Sequence, residues 1–265
     1  MNMERRGTAL VTGASSGIGL DLAKRFAAEG YDVALVARSE GKLKEVAAAI
    51  EAEHHVRAHV VTADLAAPRA ADALVAALEA RGIDVDVLVN NAGYALYGAF
   101  TETDLADELA MIQVNIVALT HLTKLVVRKM VARGGGRVLN VASTAAFQPG
   151  PLMAVYYATK AYVLSFSEAL ANELDGTGVS VTALCPGPTK TGFQARAQME
   201  QSKLVRGKEI MTAETVARIG YAGLMKGKTV VIPGVSNKMM AQAVRFLPRK
   251  TVTRLVRNAQ ERAPH

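Results

Sequence analysis

The segment YYATKAY, residues 156–162, sets two phenols beside an ammonium group. On a helix Tyr156 and Lys160 stand at i and i+4, and Tyr157 and Lys160 at i and i+3, so helical geometry does not choose between the phenols. A lysine cation roughly 5 Å from a phenol, at an effective dielectric near 20, is worth about 3 kcal/mol, on the order of two pK units off a reference value of about 10. A tyrosine so placed trades a proton near neutral pH, which is general acid–base chemistry. Ser143 lies thirteen positions before Tyr156, at the end of a predicted strand in VLNVASTAAF, where its hydroxyl would meet a bound carbonyl.

A second group of residues suits an anion. ALVTGASSGIGL puts Gly13, Gly17 and Gly19 between an apolar run and an amphipathic one. Gly13 permits a sharp turn, Gly17 lets the backbone approach a pyrophosphate, and Gly19 allows tight helix–strand packing, while the helix N-terminus offers N–H donors and partial positive charge. The spacing is neither GxGxxG nor a Gly-Lys-Ser/Thr loop of nucleotide triphosphatases. After the second apolar run, VALVARSEGK carries Ala37 and Arg38 where an acid would accept from the ribose 2'-OH of NAD. Arginine there attracts a 2'-phosphate and favours NADP over NAD; the alternative is a solvated strand-end Arg with Ser39 as N-cap. In TADL, Asp64 either takes an adenine amino group, with Leu65 against the ring, or caps the helix that starts near Pro68. VNNAG, with Asn91, Ala92 and Gly93, suits backbone and ribose contacts or an ordinary turn.

Such residues need a scaffold, and the chain alternates short β-branched runs with longer Ala-rich ones, the rhythm of a parallel sheet covered on both faces. Strands are predicted at 8–12, 32–37, 58–63, 86–90, 137–142, 180–184 and 229–232, and helices at 19–28, 41–53, 68–80, 104–132, 155–173 and 213–224. Gly30, Gly82, Gly134 to Gly136 and Gly176 fall where helices should stop. The expectation is an α/β fold: one Rossmann-like, doubly wound, seven-stranded parallel sheet with helices on both faces and a C-terminal helical extension.

In order and spacing, TGASSGIG, NNAG, Ser143, YYATK read as YxxxK, and PGPTKT resemble the compact, single-domain branch of the short-chain dehydrogenase/reductase family over about residues 7–235. The resemblance selects Tyr156 over Tyr157, because the family tyrosine stands four before the lysine. It implies that Tyr156 is the general acid toward a ketone or base toward an alcohol, that Ser143 polarises the oxygen, and that Lys160 binds the nicotinamide ribose and lowers the tyrosine pKa. Asn115, in IQVNIVAL, matches the residue that holds a water in a proton relay to Lys160; otherwise it is a helix-interior amide bonded to backbone. Ser15, Ser16 and Ile18 join the three glycines around the dinucleotide, and Pro186, Gly187, Thr189 and Thr191 hold the nicotinamide end. The implied activity is NADP(H)-dependent interconversion of a carbonyl and an alcohol. A non-catalytic NADP-binding regulator of the same fold would lack Tyr or Lys, and a Rossmann-like methyltransferase would carry an acid in place of Arg38; neither fits.

The division expected is a dinucleotide-binding and catalytic domain over 1–235, with a substrate lid near 188–212, and a basic amphipathic tail over 236–265. Phe193, Met199, Tyr94, Ala145, Phe147, Met153 and Tyr157 would line an apolar pocket, which argues for a lipophilic ketone or aldehyde. From 237 onward the tail holds seven Lys or Arg against Glu261, almost all of the net charge of +7, so a global nucleic-acid surface is excluded. Two short helices broken at Pro248 would cover the pocket, form a subunit interface of a homodimer or homotetramer, or lie on an anionic membrane. His54, His55 and His59 have no ligand spacing for a metal. The single cysteine, Cys185, excludes an internal disulfide framework and fits a reducing, cytoplasmic setting. No signal peptide or uninterrupted 18-residue apolar window is expected.

Overall fold

The computed structural model describes residues 6–192 and 210–261. In chain order the elements begin with β1 (Thr8–Thr12), α1 (Gly17–Ala28), β2 (Asp32–Ala37), α2 (Glu40–His54), β3 (Ala58–Thr62), α3 (Ala70–Glu79), β4 (Val87–Asn90) and α4 (Leu105–Ile112). A π-helical turn (Gln113–Ala118) leads into α5 (Leu119–Ala132), then β5 (Gly136–Val141), a 3-10 turn (Thr144–Phe147), α6 (Ala154–Glu173) and β6 (Val179–Leu184). The short strands β7 (Thr189–Lys190) and β8 (Met211–Thr212) pair with each other before α7 (Ala213–Met225), β9 (Val230–Val231), α8 (Val235–Ala243) and α9 (Arg249–Gln260).

Seven parallel strands form one sheet in the order β3-β2-β1-β4-β5-β6-β9. Sequential strands run outward from β1 through β2 to β3, then in the other direction from β4, so the topological switch point lies between β1 and β4. That crevice, at the carboxyl ends of the strands, is where ligands bind in open α/β sheets. β1 is buried on both faces: Ala9 and Val11 enter a core with Leu22 and Phe26 of α1, while Leu10 enters the opposite core with Leu74 of α3 and Leu122 of α5. This two-sided burial is why the strands read as near-continuous apolar runs.

The seven-stranded doubly wound architecture agrees with the sequence reading. Several boundaries move by a residue or two, and one helix changes character. Over Leu105–Ala132 the chain is long and apolar enough to cross a membrane by length and composition, but Met111, Ala118, Leu119, Leu122, Val126, Val127 and Met130 are buried in the cores. It is a core helix, interrupted by the π-helical turn that contains Asn115. Such turns insert a residue and re-aim its neighbours, and periodicity alone does not reveal them.

Candidate active site

The switch point brings the two chemical groups of the sequence together. Gly13 and Gly17 take φ of 67° and 57°, the left-handed region that glycine enters at no steric cost. A Cβ at Gly19 would collide with the carbonyl oxygen of Gly13, and one at Gly17 would come within 3.1 Å of the Thr191 methyl. Ser16 precedes α1 without a side-chain cap, leaving the first-turn amides directed at the crevice. A dinucleotide phosphate fits this cradle, beside which Thr191 packs; Ile18 packs on the core behind it.

Thr12, which the sequence reading passed over, secures the cradle to β4. Its hydroxyl accepts from the amides of Asn91 and Ala92, each at 3.0 Å, and donates to Val89 O at 3.2 Å. The Asn91 side chain donates to Thr12 O (2.9 Å) and Gly13 O (3.3 Å). Its amide therefore braces the glycine turn, a structural task in addition to the expected backbone contacts. Asn90, beside it, is buried and donates to Thr123 and to Asn140, each at 2.9 Å, and Asn140 donates to Ser167. Buried amides must find partners, and the packed strands and helices supply them.

Arg38 is exposed at the end of β2. Ser39 makes no side-chain cap to α2, so the capping alternative gains no support. Asp64 accepts from Ala66 N at 3.0 Å. The helix it was expected to cap starts later, at Ala70, so Asp64 closes a local turn; Leu65 is buried.

Tyr156 and Lys160 lie on one face of α6, both buried, with Lys160 Nζ 5.8 Å from the centre of the Tyr156 ring. Nζ donates to Val141 O at 2.8 Å. Ser143 follows β5 and caps the 3-10 turn: its Oγ accepts from Ala145 N at 3.1 Å, and its one proton serves either Pro186 O at 3.4 Å or the Tyr156 hydroxyl. Gly93 packs against this group, since a Cβ there would lie 2.9 Å from Asn115 Oδ1 and 3.7 Å from Lys160 Nζ.

The electrostatics correct the expectation of a lowered phenol pKa. Burial pushes Tyr156 well above the ordinary phenol value, and the hydrogen bond with Ser143 only partly offsets it. Burial also holds Lys160 down, to about 8. The simple charge-pair argument omitted desolvation, the largest influence on the buried phenol.

The Asn115 side chain makes three hydrogen bonds. Its Oδ1 accepts from Tyr94 N at 3.2 Å, and its Nδ2 donates to Tyr94 O (3.0 Å) and Thr159 Oγ1 (3.1 Å). It clamps the strand β4 exit loop to α6, with Gly93 between its Oδ1 and Lys160 Nζ.

Around the phenol, Ala145, Met153, Tyr157 and Tyr94 pack with Ala95, Met111 and Val256 in one apolar cluster. Phe147 instead packs with Val163, Cys185 and Ile232 in a separate cluster. Phe193, Met199 and the body of the expected lid lie outside the described residues. Pro186 is buried and Thr189 donates to Gly187 O at 2.9 Å, fixing the loop after β6. Asn237 of α8 packs against Gly187. The C-terminal helix supplies a pocket residue that the sequence did not suggest: Gln260 is fully buried, donates to Tyr157 Oη at 2.5 Å, and its carbonyl accepts from Tyr97 Oη at 2.8 Å. A separate cavity of about 190 Å³ lies between α3 and α5 beside the loop that enters β4, and contains none of these groups.

A doubly wound sheet with a glycine cradle at its switch point and a Ser-Tyr-Lys group beside it defines a dinucleotide-dependent oxidoreductase class. The family pattern described as short chain dehydrogenase matches residues 7–202, and the chain belongs to that family. A Streptomyces coelicolor protein described provisionally as a ketoacyl reductase is 40% identical over 215 residues, 80% of either chain. A very-long-chain 3-oxoacyl-CoA reductase of Anas platyrhynchos is 34% identical over 255 residues, 94% of this chain and 78% of that protein. Among solved structures, a short-chain dehydrogenase from Sphingobium yanoikuyae in complex with NADPH superposes with a TM-score of 0.82 at 34% identity, covering 91% of this chain and 92% of that one.

Proposed function

We propose that the protein interconverts a lipophilic ketone or aldehyde and its alcohol using NADP(H), with Tyr156 as the proton donor and acceptor. The observation that carries this reading is the buried Tyr156 hydroxyl, bonded to Ser143 and flanked by Lys160 at the edge of the glycine cradle. When bound, the dinucleotide supplies or accepts hydride.

The chain's own residues do the rest. Gly13, Ser15, Ser16, Gly17, Ile18 and Gly19 would hold the pyrophosphate, Arg38 a 2'-phosphate, Asp64 and Leu65 the adenine, and Asn91, Ala92 and Gly93 the strand-end backbone contacts. Pro186, Gly187, Thr189 and Thr191 would hold the nicotinamide end. Ser143 orients the carbonyl oxygen, and Tyr156, protonated at neutral pH because burial disfavours the phenolate, delivers its proton there. Lys160 balances the charge that develops on the phenol, and Asn115 positions Tyr94 and Thr159 around it. The NADPH complex of the Sphingobium relative supports the choice of dinucleotide.

The apolar wall of Tyr94, Ala145, Met153 and Tyr157 supports a lipophilic substrate, as do the relatives that act on oxoacyl chains. Exposed Leu105, Leu109, Val117 and Tyr162 support assembly as a homodimer or homotetramer, and the buried thiol of Cys185 suits the cytoplasm. Purified protein mixed with NADPH or NADH and a panel of 3-oxoacyl thioesters, bulky ketones and polyols tests the reading. Turnover of NADPH with the apolar carbonyls, abolished in Tyr156→Phe, is expected. Undiminished turnover by the variant would remove Tyr156 from the chemistry, and a preference for charged or polyhydroxylated compounds would overturn the substrate class.

A further inference from the structure

The C-terminal segment turns opposite sides to two environments. On α9, Val252, Val256 and Gln260 recur at i, i+4 and i+8; Val252 and Gln260 are buried, and Val256 packs on the pocket cluster. Helical geometry places Lys250, Arg254 and Arg257 on the other side, and all three are exposed. Before α9, Phe246 is 85% and Leu247 42% exposed, between Arg245 on one side and Arg249 and Lys250 on the other. On α8, Ala241 is buried against the body, whereas Val235, Met239 and Met240 are exposed beside Lys238.

Half of the exposed large apolar side chains among the described residues thus belong to this one segment. So does most of the charge. Over 235–261 there are six cations (Lys238, Arg245, Arg249, Lys250, Arg254 and Arg257) and one acid, Glu261, giving +5 of the chain's +7. Glu261 is already paired with Arg257, at 3.8 Å.

We propose that this outer surface, with Phe246 and Leu247 as its apolar tip, is the docking face for a bilayer rich in anionic lipid. Isolated exposed apolar residues are ordinary on soluble proteins, but a cluster of them set among cations of one sign matches an interfacial anchor. Charge complementarity selects the occupant. A second copy docked through the same face by a two-fold axis would set six cations against six, which repels. A neutral protein groove would leave the cations without counter-charge. An anionic lipid surface attracts each basic residue near it and admits the phenyl and isobutyl groups at the headgroup boundary. The docked face is the reverse side of the helix that seats Gln260 on Tyr157, so a lipophilic substrate would reach the pocket wall from the bilayer it dissolves in.

Co-sedimentation of the full chain with vesicles tests this. Vesicles of phosphatidylcholine containing phosphatidylserine should retain the protein at 0.1 M salt and release it as salt rises, because screening shortens the reach of the lipid charge. Phosphatidylcholine vesicles alone should not retain it. Phe246→Ser/Leu247→Ser should weaken partitioning at least about tenfold, and Arg249→Gln/Lys250→Gln about 25-fold, at about fivefold per charge. These four side chains are exposed and lie outside the dinucleotide and catalytic groups, so each variant should keep the parent's melting temperature, its NADPH binding and its turnover of a water-soluble ketone. Failure here therefore leaves the reductase reading untouched. Equal retention by neutral vesicles, or none by anionic ones, would overturn the proposal. So would a dimer mass that falls to a monomer in Phe246→Ser/Leu247→Ser without any vesicle binding, which would assign the tip to a second copy.

Discussion

The Tyr157 hydroxyl accepts a 2.5 Å hydrogen bond from the side-chain amide of Gln260, 103 positions later in the chain, while the adjacent Tyr156 hydroxyl bonds Ser143. The two neighbouring phenols thus have separate tasks. Tyr157 ties the C-terminal helix to the pocket wall, and Tyr156 is left for the proton transfer proposed above. Burial raises the pKa of both, that of Tyr157 to about 12.

This division predicts opposite phenotypes. Tyr157→Phe leaves a buried amide without its partner and should lower stability by about 1–3 kcal/mol, with kcat reduced much less. Tyr156→Phe should lower kcat by about 10²- to 10⁴-fold with little change in unfolding free energy. Urea melts and steady-state rates measured on both variants check the pair; a large kcat loss in Tyr157→Phe with a normal melt would reverse the assignment.

In the proposed reading Arg38 carries the choice of dinucleotide. A charge-assisted bond from its guanidinium to a 2'-phosphate is worth about 1.5–3 kcal/mol. Arg38→Asp should therefore weaken NADPH roughly 10- to 100-fold while NADH is held or improved, as read by calorimetric titration of each. Parallel losses for both dinucleotides would mean that Arg38 does not meet the phosphate.

Lys160 sets a pH signature on the dinucleotide-free protein. Its folded pKa, about 8, lies below the ordinary lysine value of 10.5. The unfolded chain therefore binds the extra proton between those values, and stability attributable to Lys160 rises as pH climbs from 8 to about 10.5. Below pH 8 both states are protonated and the full burial penalty remains. Melting temperatures of the parent minus those of Lys160→Met should increase across that interval. The comparison matters because Cys185, pushed up to about 12 from 9.0, works in the other direction over much of the same range. A flat difference would place the ammonium in water.

Gly19 is required for close approach. A methyl there meets the Gly13 carbonyl and the Asn91 amide, backbone and a braced side chain that cannot yield. Gly19→Ala should lose about 1–3 kcal/mol of stability and weaken NADPH binding beyond that of Gly41→Ala, where the added methyl meets only open space. Chemical denaturation and dinucleotide titration distinguish the two.

Much of this protein was legible in its residues taken locally. The β1 and β2 boundaries read correctly, as did the seven-stranded doubly wound sheet, because a strand buried on both faces writes itself as an apolar run and a helix as a periodic one. Gly30, Gly82, Gly134 and Gly176 all take positive φ at helix ends, as local backbone sterics demand. The Gly13–Gly17–Gly19 cradle and the Tyr156–Lys160 pair were visible for the same reason: their geometry is set within a few residues.

What the tertiary structure decided is whatever depends on partners distant in sequence. Helical spacing left Tyr156 and Tyr157 equivalent and only the family resemblance chose between them; the physical difference came with Ser143 and Gln260 from other elements. The pairwise charge argument lowered the Tyr156 pKa, whereas burial by the assembled pocket raises it. Asn91 and Asn115 each kept a polar side chain whose partner no local rule names, and packing gave them Thr12 and Gly13, and Tyr94 and Thr159. Periodicity is a property of neighbouring residues along the chain; desolvation and the satisfaction of buried polar groups exist only once the chain has folded around them.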